Sequence, residues 1–308
     1  MKAAQLNEYG GKDALEVTTK APKPKVASGE VLVEVYAASV NPFDWKVREG
    51  LVQQMAALDF PATLGGDVAG IVAETGEGFM QGQAVYGQAN ALGGQGSYAE
   101  YTPVKATQLA AKPESIDFLT AAALPLVSVS AYQALVDHMN LQKGQKILVH
   151  GGAGGIGSMA IQLAKHLGAY VATTAAANDA EFVKSLGADE IIDYKTQDFT
   201  ELIKDYDAVY DTIGGETNTK SYTVLKPGGA LVSMVDQPND ELVQKYQITY
   251  VAQFTQVTPK RLNAITKLVD NGILKPIVDK IFSLNQAAEA LEYQKTGLPK
   301  GKVVIQIK

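Results

Sequence analysis

The run Gly151-Gly152-Ala153-Gly154-Gly155-Ile156-Gly157 carries the strongest chemical signal in the sequence. Within it, Gly152-x-Gly154-x-x-Gly157 follows the apolar stretch Lys146–His150 and opens a segment, Gly155–Leu167, with apolar residues at helical spacing. In that setting the first glycine permits a tight turn and the second lets the backbone approach a pyrophosphate. The third lets a helix pack close on a strand. The helix N-terminus then offers free N–H groups and the positive end of its dipole to the phosphates. Gly152, Gly154, Gly155, Ile156 and Gly157 are therefore expected to hold a dinucleotide. A ligand-free tight turn is the plainer alternative, but so many glycines add a folding entropy cost that a turn alone does not require.

The residues beyond the loop bear on which dinucleotide is bound. A site for NAD places an Asp or Glu about 20 residues past the loop, on the ribose 2′-OH. Here the expected second strand ends Val171-Ala172-Thr173-Thr174-Ala175-Ala176, and the first carboxylate is Asp179. An acid at the strand end would repel a 2′-phosphate, so its absence favours NADPH over NADH. The expected 2′-phosphate surroundings are Thr173, Thr174 and Ala175, with Tyr194 and Lys195 after the third strand. No arginine stands there to pair the phosphate, and a solvated strand end is the alternative reading of Tyr194-Lys195.

Other chemistries are narrowed by composition. The 308 residues include no cysteine, which removes disulfides, thiolate metal sites and a cysteine nucleophile. The three histidines, His138, His150 and His166, lack metal-site spacing. His150, on a short buried strand, reads as a packed core residue. A net charge of −6 without basic clusters argues against nucleic acid and against an anionic membrane surface. No apolar run approaches the ~18 residues of a membrane-spanning helix, and the first residues lack an apolar signal core. A cytoplasmic location is the resulting expectation.

These groups need elements to position them. The first third is punctuated by Gly and Pro and carries short alternating segments at Glu30–Ala37, Val68–Ala73, Gln83–Tyr86 and Ser97–Tyr101. That pattern predicts a partly closed β-structure. From about Ser128 the texture changes to helices alternating with short strands. Strands are predicted at Lys146–His150, Ala169–Thr173, Glu190–Asp193, Ala208–Asp211 and Ala230–Val235, and helices at Ser130–His138, Gly155–Leu167, Ala180–Leu186 and Phe199–Lys204. Such alternation predicts parallel βαβ units. The tail carries helices at Pro259–Gly272 and Ala287–Thr296 and a closing strand at Lys302–Ile307. The segments Leu51–Leu58 and Tyr246–Thr258 read as irregular and as determinants of pocket shape.

The whole pattern resembles the medium-chain dehydrogenases/reductases, in the zinc-independent branch of quinone oxidoreductases and alkenal or enone reductases. The resemblance runs the full length. Beside the glycine loop it rests on Ser39-Val40-Asn41-Pro42-Phe43-Asp44-Trp45-Lys46, Gly65-Gly66-Asp67-Val68-Ala69-Gly70, Leu186-Gly187-Ala188-Asp189, Asp211-Thr212-Ile213-Gly214-Gly215 and Gly301-Lys302-Val303-Val304. It implies an α/β chain with a GroES-like β-rich catalytic domain, residues 1–125 and 260–308. A Rossmann domain with a doubly wound parallel sheet, residues 126–259, interrupts it. The cleft between the two is implied to hold nicotinamide and substrate.

The zinc alcohol dehydrogenases of the same superfamily carry a cysteine where this chain has Asn41, and a Gly-His-Glu motif where it has Gly65-Gly66-Asp67. The resemblance therefore implies NADPH, no zinc, and hydride transfer to a quinone or an α,β-unsaturated carbonyl. The implied catalytic set is Asn41, Lys46 and Asp44. Lys46 and Asn41 are the candidate donors to the substrate oxygen, and Asp44 orients its neighbours. An exposed lysine and an Asn-Pro turn are the plainer readings of the first two. Ser130 is implied to contact the nicotinamide, with a helix N-cap as the alternative. Ser233, Val235, Phe254 and Thr255 are implied near the nicotinamide ribose and carboxamide. Tyr86 is either a cleft residue or core, and Trp45 either packing or substrate stacking. A homodimer through a Rossmann edge strand is also implied. A non-catalytic NADP-binding member of the family, redox-sensing or structural, and a zinc-type alcohol dehydrogenase are the competing readings.

Overall fold

A computed structural model describes residues 1–55 and 57–308. Of the segment 51–58 singled out for pocket shape, Ala56 lies outside the described residues. The chain divides into two compact units. Unit 1 holds Met1–Leu126, Val257–Asn271 and Pro276–Lys308, and unit 2 holds Val127–Gln256 with Gly272–Lys275. The sequence had assigned these last four residues to the first domain. They cluster with unit 2, where Gln162 ties both backbone groups of one residue: Lys275 N–H donates to Gln162 Oε1 at 2.9 Å, and Gln162 Nε2 donates to the Lys275 carbonyl at 3.1 Å.

Unit 1 begins with β1 (Ala3–Leu6), β2 (Leu15–Thr18), β3 (Glu30–Val40), α1 (Pro42–Arg48), β4 (Ala62–Thr63), β5 (Asp67–Val72), β6 (Ala84–Gln88), β7 (Tyr101–Lys105), β8 (Leu109–Ala111) and α2 (Phe118–Ala122). Helix α3 (Pro125–Tyr132) leads into unit 2. There follow β9 (Lys146–Val149), α4 (Gly155–His166), β10 (Tyr170–Ala175), α5 (Ala180–Ser185), β11 (Glu190–Asp193), α6 (Phe199–Leu202), β12 (Tyr206–Asp211), α7 (Glu216–Ser221), β13 (Leu225–Ser233), α8 (Asp240–Tyr246) and β14 (Thr249–Ala252). The chain returns to unit 1 with α9 (Pro259–Asp270), β15 (Val278–Ser283), α10 (Ala287–Lys295) and β16 (Lys302–Gln306).

Unit 2 is built on one parallel sheet in the order β11-β10-β9-β12-β13-β14. This is the doubly wound order 3-2-1-4-5-6, in which ligands sit outside the carboxyl ends of the strands where the order reverses. The central strand reads Ile147-Leu148-Val149, all buried, as a strand covered on both faces requires. Helix α4 buries every residue from Gly157 to Ala164. The segment read as irregular at 246–258 contains the edge strand β14, in register with β13 at Leu231↔Tyr250 and Val232↔Val251. Its mixed composition hid it, because an edge strand needs little apolar patterning.

Unit 1 carries a seven-stranded sheet, β15-β16-β3-β5-β6-β8 with β7 also on β3, and a three-stranded sheet β2-β1-β4. Valines of β3 and β5, with Val85, Val104 and Leu109, form one core cluster. Leu6, Val40, Val47, Leu291 and Ile305 belong to a second. The expected strand at 97–101 begins instead at Tyr101 and runs to Lys105. Ser97 and Tyr98 hydrogen-bond through their backbone to Gly65 and Leu64 outside that ladder. Two registers matter for chemistry. Ser39 lies opposite Asp67, and Val40 opposite Val303. The C-terminal end of β3 is thereby flanked by the start of β5 and the start of β16.

Candidate active site

In unit 2 the glycine loop joins β9 to α4. Gly151 takes a φ of +73°, so it is this residue, one position earlier than expected, that makes the tight turn. The other glycines are set by close approach. A Cβ on Gly152 would lie 2.1 Å from Thr173 Oγ1, and one on Gly157 would lie 2.2 Å from the Gly151 carbonyl oxygen. Gly154 differs: a Cβ there meets the Gly151 carbonyl oxygen at 3.4 Å and nothing else within 4 Å among the described residues. Its open side leaves room for a group the size of a phosphate. No side chain caps α4, whose first turn contains the half-exposed Gly155 and Ile156. Uncapped N–H groups at the start of a twelve-residue helix fit an anion.

The residues expected around the 2′-phosphate separate into two groups. Thr173 is fully buried and its hydroxyl donates to the Val149 carbonyl at 2.7 Å. Thr174 is also buried, with its hydroxyl 3.2 Å from His150 Nδ1 and accepting from the Gly151 N–H. Ala175 is buried at the end of β10. The expectation of phosphate contacts from the Thr173 and Thr174 hydroxyls is therefore corrected, because both serve the sheet and the loop. Tyr194 and Lys195 are exposed directly after β11, whose Asp193 is in register with Ala175. Among the described residues Lys195 has no ion pair, and its ammonium lies 6.0 Å from the Tyr194 ring.

At the carboxyl ends of the next three strands stand three large exposed apolar residues: Ile213 after β12 (55% exposed), Val235 after β13 (51%) and Phe254 after β14 (71%). Exposed apolar side chains in a row at this edge of a parallel sheet suit a flat heterocycle. Val235 and Phe254 were expected there. Ile213 was not, although it lies in the Asp211–Gly215 motif. Ser233 is corrected to a structural role for its side chain. It is buried, its hydroxyl donates to Asp211 Oδ2 at 3.0 Å, and it accepts from the N–H groups of Val235 and Asp236. Ser130 is not a helix N-cap. It lies inside α3, buried, with its hydroxyl 2.7 Å from that of Thr255. Beyond Tyr132 the helix widens into a π-helical stretch, Gln133–His138. There Gln133 takes the Phe254 carbonyl at 3.2 Å and the Gln256 N–H at 2.9 Å.

In unit 1, Asn41 precedes Pro42, and its N–H donates to Asp44 Oδ2 at 2.8 Å, which fixes the start of α1. The same carboxylate oxygen accepts from the Tyr98 hydroxyl at 2.8 Å. Burial, the largest effect, pushes Asp44 up to about 6 against these hydrogen bonds. The Asn41 side chain is buried and donates to Asp67 Oδ2 at 2.8 Å, while its carbonyl oxygen accepts from Lys302. Asp67, Lys302, Ser39 and Tyr98 were not singled out from the sequence. Asp67 and Lys302 do occur in motifs quoted above, but only sheet register turns them inward. Asn41 and Asp44 are thus brought together, whereas Lys46 is half-buried on α1, its ammonium 5.7 Å from the Trp45 ring and with no hydrogen bond or ion pair among the described residues. Tyr86 is core: it is fully buried and its hydroxyl donates to the Leu262 carbonyl at 2.7 Å.

Residues 27–114 match the family described as alcohol dehydrogenase GroES-like domain, and residues 186–305 the family described as zinc-binding dehydrogenase. The chain is 38% identical over 320 residues to a 2-methylene-furan-3-one reductase of Solanum lycopersicum, covering 99% of this chain and 79% of that protein. It is 38% identical over 319 residues to the chloroplastic NADPH-dependent alkenal/one oxidoreductase of Arabidopsis thaliana, with the same coverages. The chain belongs to the medium-chain dehydrogenase/reductase family. The solved quinone oxidoreductase of Coxiella burnetii superposes with a TM-score of 0.92 at 33% identity, covering 100% of this chain and 99% of that one. Within the family the chain falls in the branch of quinone oxidoreductases and enone reductases, and it is an oxidoreductase.

One matched family carries zinc in its description, so the donor set matters. The positions that resemble zinc ligands hold Asn41 and Gly66. The neighbouring Asp67 already accepts from Ser39, Asn41, Lys302 and the Leu126 N–H. Among the described residues no group of three or more His, Cys, Asp or Glu is placed to hold a metal ion. These residues do not fit a zinc site.

His150 closes β9 directly before the loop. Its ring nitrogens lie 3.0 Å from Ser221 Oγ and 3.2 Å from Thr174 Oγ1. Burial lowers its pKa to about 4. The unfolded chain, with an ordinary histidine near 6.5, binds the proton first as pH falls. The stabilising contribution of the neutral ring is therefore whole above pH 6.5 and is lost between 6.5 and 4, by about 3 kcal/mol in all. In a His150→Gln variant, the decline in unfolding free energy from pH 7 to pH 4, read by urea melts, shrinks by about that amount.

Proposed function

We propose that the protein is an NADPH-dependent reductase of quinones and α,β-unsaturated carbonyl compounds that works without a metal. The observation that carries this reading is the uncapped start of α4 beside the open face of Gly154, on a sheet whose second strand, β10, ends without an acid. The relatives named for alkenal/one, furanone and quinone reduction support it. Gly155, Ile156 and the Gly154 backbone hold the pyrophosphate, and Lys195 with Tyr194 takes the 2′-phosphate end. Ile213, Val235, Phe254 and Thr255 line the nicotinamide end, and Ser130 fixes Thr255.

When bound, a reduced nicotinamide would supply the hydride for the carbon β to the carbonyl, or for the quinone. Negative charge then grows on the substrate oxygen. Asn41 and Lys46 serve as the donors to that oxygen, and they act where the charge develops. A conjugated acceptor spreads this charge without a Lewis acid. Solvent supplies the proton to the α-carbon. A cytoplasmic location is part of the proposal. Among the described residues no helix is long and apolar enough to cross a membrane. The net charge of −6 is against nucleic acid as partner. Strand β14 ends the parallel sheet, and its free edge supports a homodimer formed edge to edge.

Initial rates with NADPH and with NADH, each against 1,4-benzoquinone, an alkenal and an enone, test the reading. NADPH is expected to be preferred. Lys195→Glu is expected to raise KM for NADPH roughly 10- to 100-fold, the worth of one charge-assisted contact, and to leave KM for NADH unchanged. Preference for NADH would remove the 2′-phosphate site. Tight NADPH binding with no acceptor reduced would make the protein a sensor or structural member of the family.

A further inference from the structure

Lys302 is the first residue of β16, a strand that continues Val303-Val304-Ile305, and it is only 4% exposed. Lysine is almost never buried so deeply unless its charge is answered. Its ammonium donates to the Val40 carbonyl at 2.9 Å, to Asn41 Oδ1, and to Asp67 Oδ2 at 3.3 Å. Three N–H donors meet three oxygens, and the ammonium has no acceptor to offer. This fixes the amide of Asn41. The atom facing Lys302 must be its oxygen, and the atom facing the Asp67 carboxylate must be its nitrogen. Asp67 is itself held by the Ser39 hydroxyl at 2.7 Å and, on its other oxygen, by the Leu126 N–H at 2.9 Å. One N–H of the Asn41 amide is left without a protein acceptor among the described residues.

We infer that the Lys302 ammonium is the resident cation of unit 1, seated among the oxygens of Val40, Asn41 and Asp67, and that it is the positioning residue which orients and polarises the Asn41 amide for the reaction. The inference rests on Asn41 being a donor to the substrate oxygen, as proposed above. A cation on the amide oxygen draws electron density from the amide nitrogen and strengthens its remaining N–H as a donor. Replacing a buried ion pair by apolar side chains of similar volume is often neutral or stabilising, so stability alone supplies no reason for a charge here. Burial pulls Lys302 below the usual lysine range, and Asp67 and Asp44 oppose that pull.

The test is chemical rescue. In Lys302→Ala, kcat for enone reduction is expected to fall about 100-fold, as on loss of one oxyanion donor, with KM for NADPH unchanged. Propylammonium is expected to restore most of the loss, and propan-1-ol, the same shape without the charge, to restore none. Retained kcat, or equal rescue by propan-1-ol, overturns the inference. If Lys302→Ala does not fold, the ¹⁵Nζ spectrum of Lys302 in the wild-type protein at pH 7 decides. A slowly exchanging ammonium supports the inference and a neutral amine overturns it. Failure of the functional reading looks different, since then the wild-type protein reduces no enone or quinone at all.

Discussion

Asn41→Ala lowers kcat for enone and quinone reduction by about 100- to 1,000-fold, the cost of removing one donor from a developing oxyanion. Because the contact strengthens in the transition state, kcat and kcat/KM fall together and NADPH affinity is kept. The substitution also removes a partner from Asp67 and from Lys302, both buried. It should therefore lower stability by about 1–3 kcal/mol, read as an earlier urea midpoint at constant slope. Lys46→Ala separates the two effects. The Lys46 ammonium has no hydrogen bond or ion pair among the described residues, so this variant is expected to melt like wild type while turning over more slowly. Full turnover in both variants would remove Asn41 and Lys46 from the site.

The second large effect lies in the glycine loop, where two alanine variants diverge. In Gly157→Ala the new Cβ would meet the Gly151 carbonyl oxygen at 2.2 Å and Gly152 Cα at 2.8 Å. Both are backbone, so α4 must move off the loop. NADPH affinity is expected to fall about 100-fold or more, equivalent to two charge-assisted N–H contacts, and stability to fall by about 1–3 kcal/mol from overpacking. In Gly154→Ala the Cβ has room within the protein, and φ −75°, ψ 175° suits alanine. Stability is expected to stay unchanged while NADPH affinity falls, because the methyl occupies the space of the pyrophosphate. Isothermal titration with NADPH and thermal melts read both variants. Wild-type affinity in Gly154→Ala would mean that the loop does not cradle a phosphate.

Much of this arrangement is legible in the sequence because it rests on local periodicity. Gly155–Leu167, Glu190–Asp193 and Pro259–Gly272 were read within two residues of α4, β11 and α9. What escaped was set by non-local pairing. Strand β14 is a short Thr-Tyr-Val-Ala run and becomes a strand only through its register with β13. Lys302 reads as a charged residue ahead of an apolar run and becomes internal only because β16 pairs with β3 next to β5. Thr173 lies inside β10, and Ser233 ends β13, near sheet ends where hydroxyls suggest ligand contacts. Their partners, the Val149 carbonyl and the Asp211 carboxylate, lie on neighbouring strands that no sequence window spans. Asn41 carries both lessons. Its place before Pro42 is a local signal, while its commitment to Asp67 and Lys302 is a consequence of topology.

The account is tested most directly by following the hydride itself. The protein, stripped of metal with chelator, is given NADPH deuterated at both nicotinamide C4 positions and an α,β-unsaturated ketone, and the product is analysed by mass spectrometry and NMR. The account predicts a saturated ketone carrying one deuterium at the β-carbon, formed as fast as by the protein not treated with chelator. NADPH bound without deuterium transfer, or transfer that requires added zinc, would contradict it.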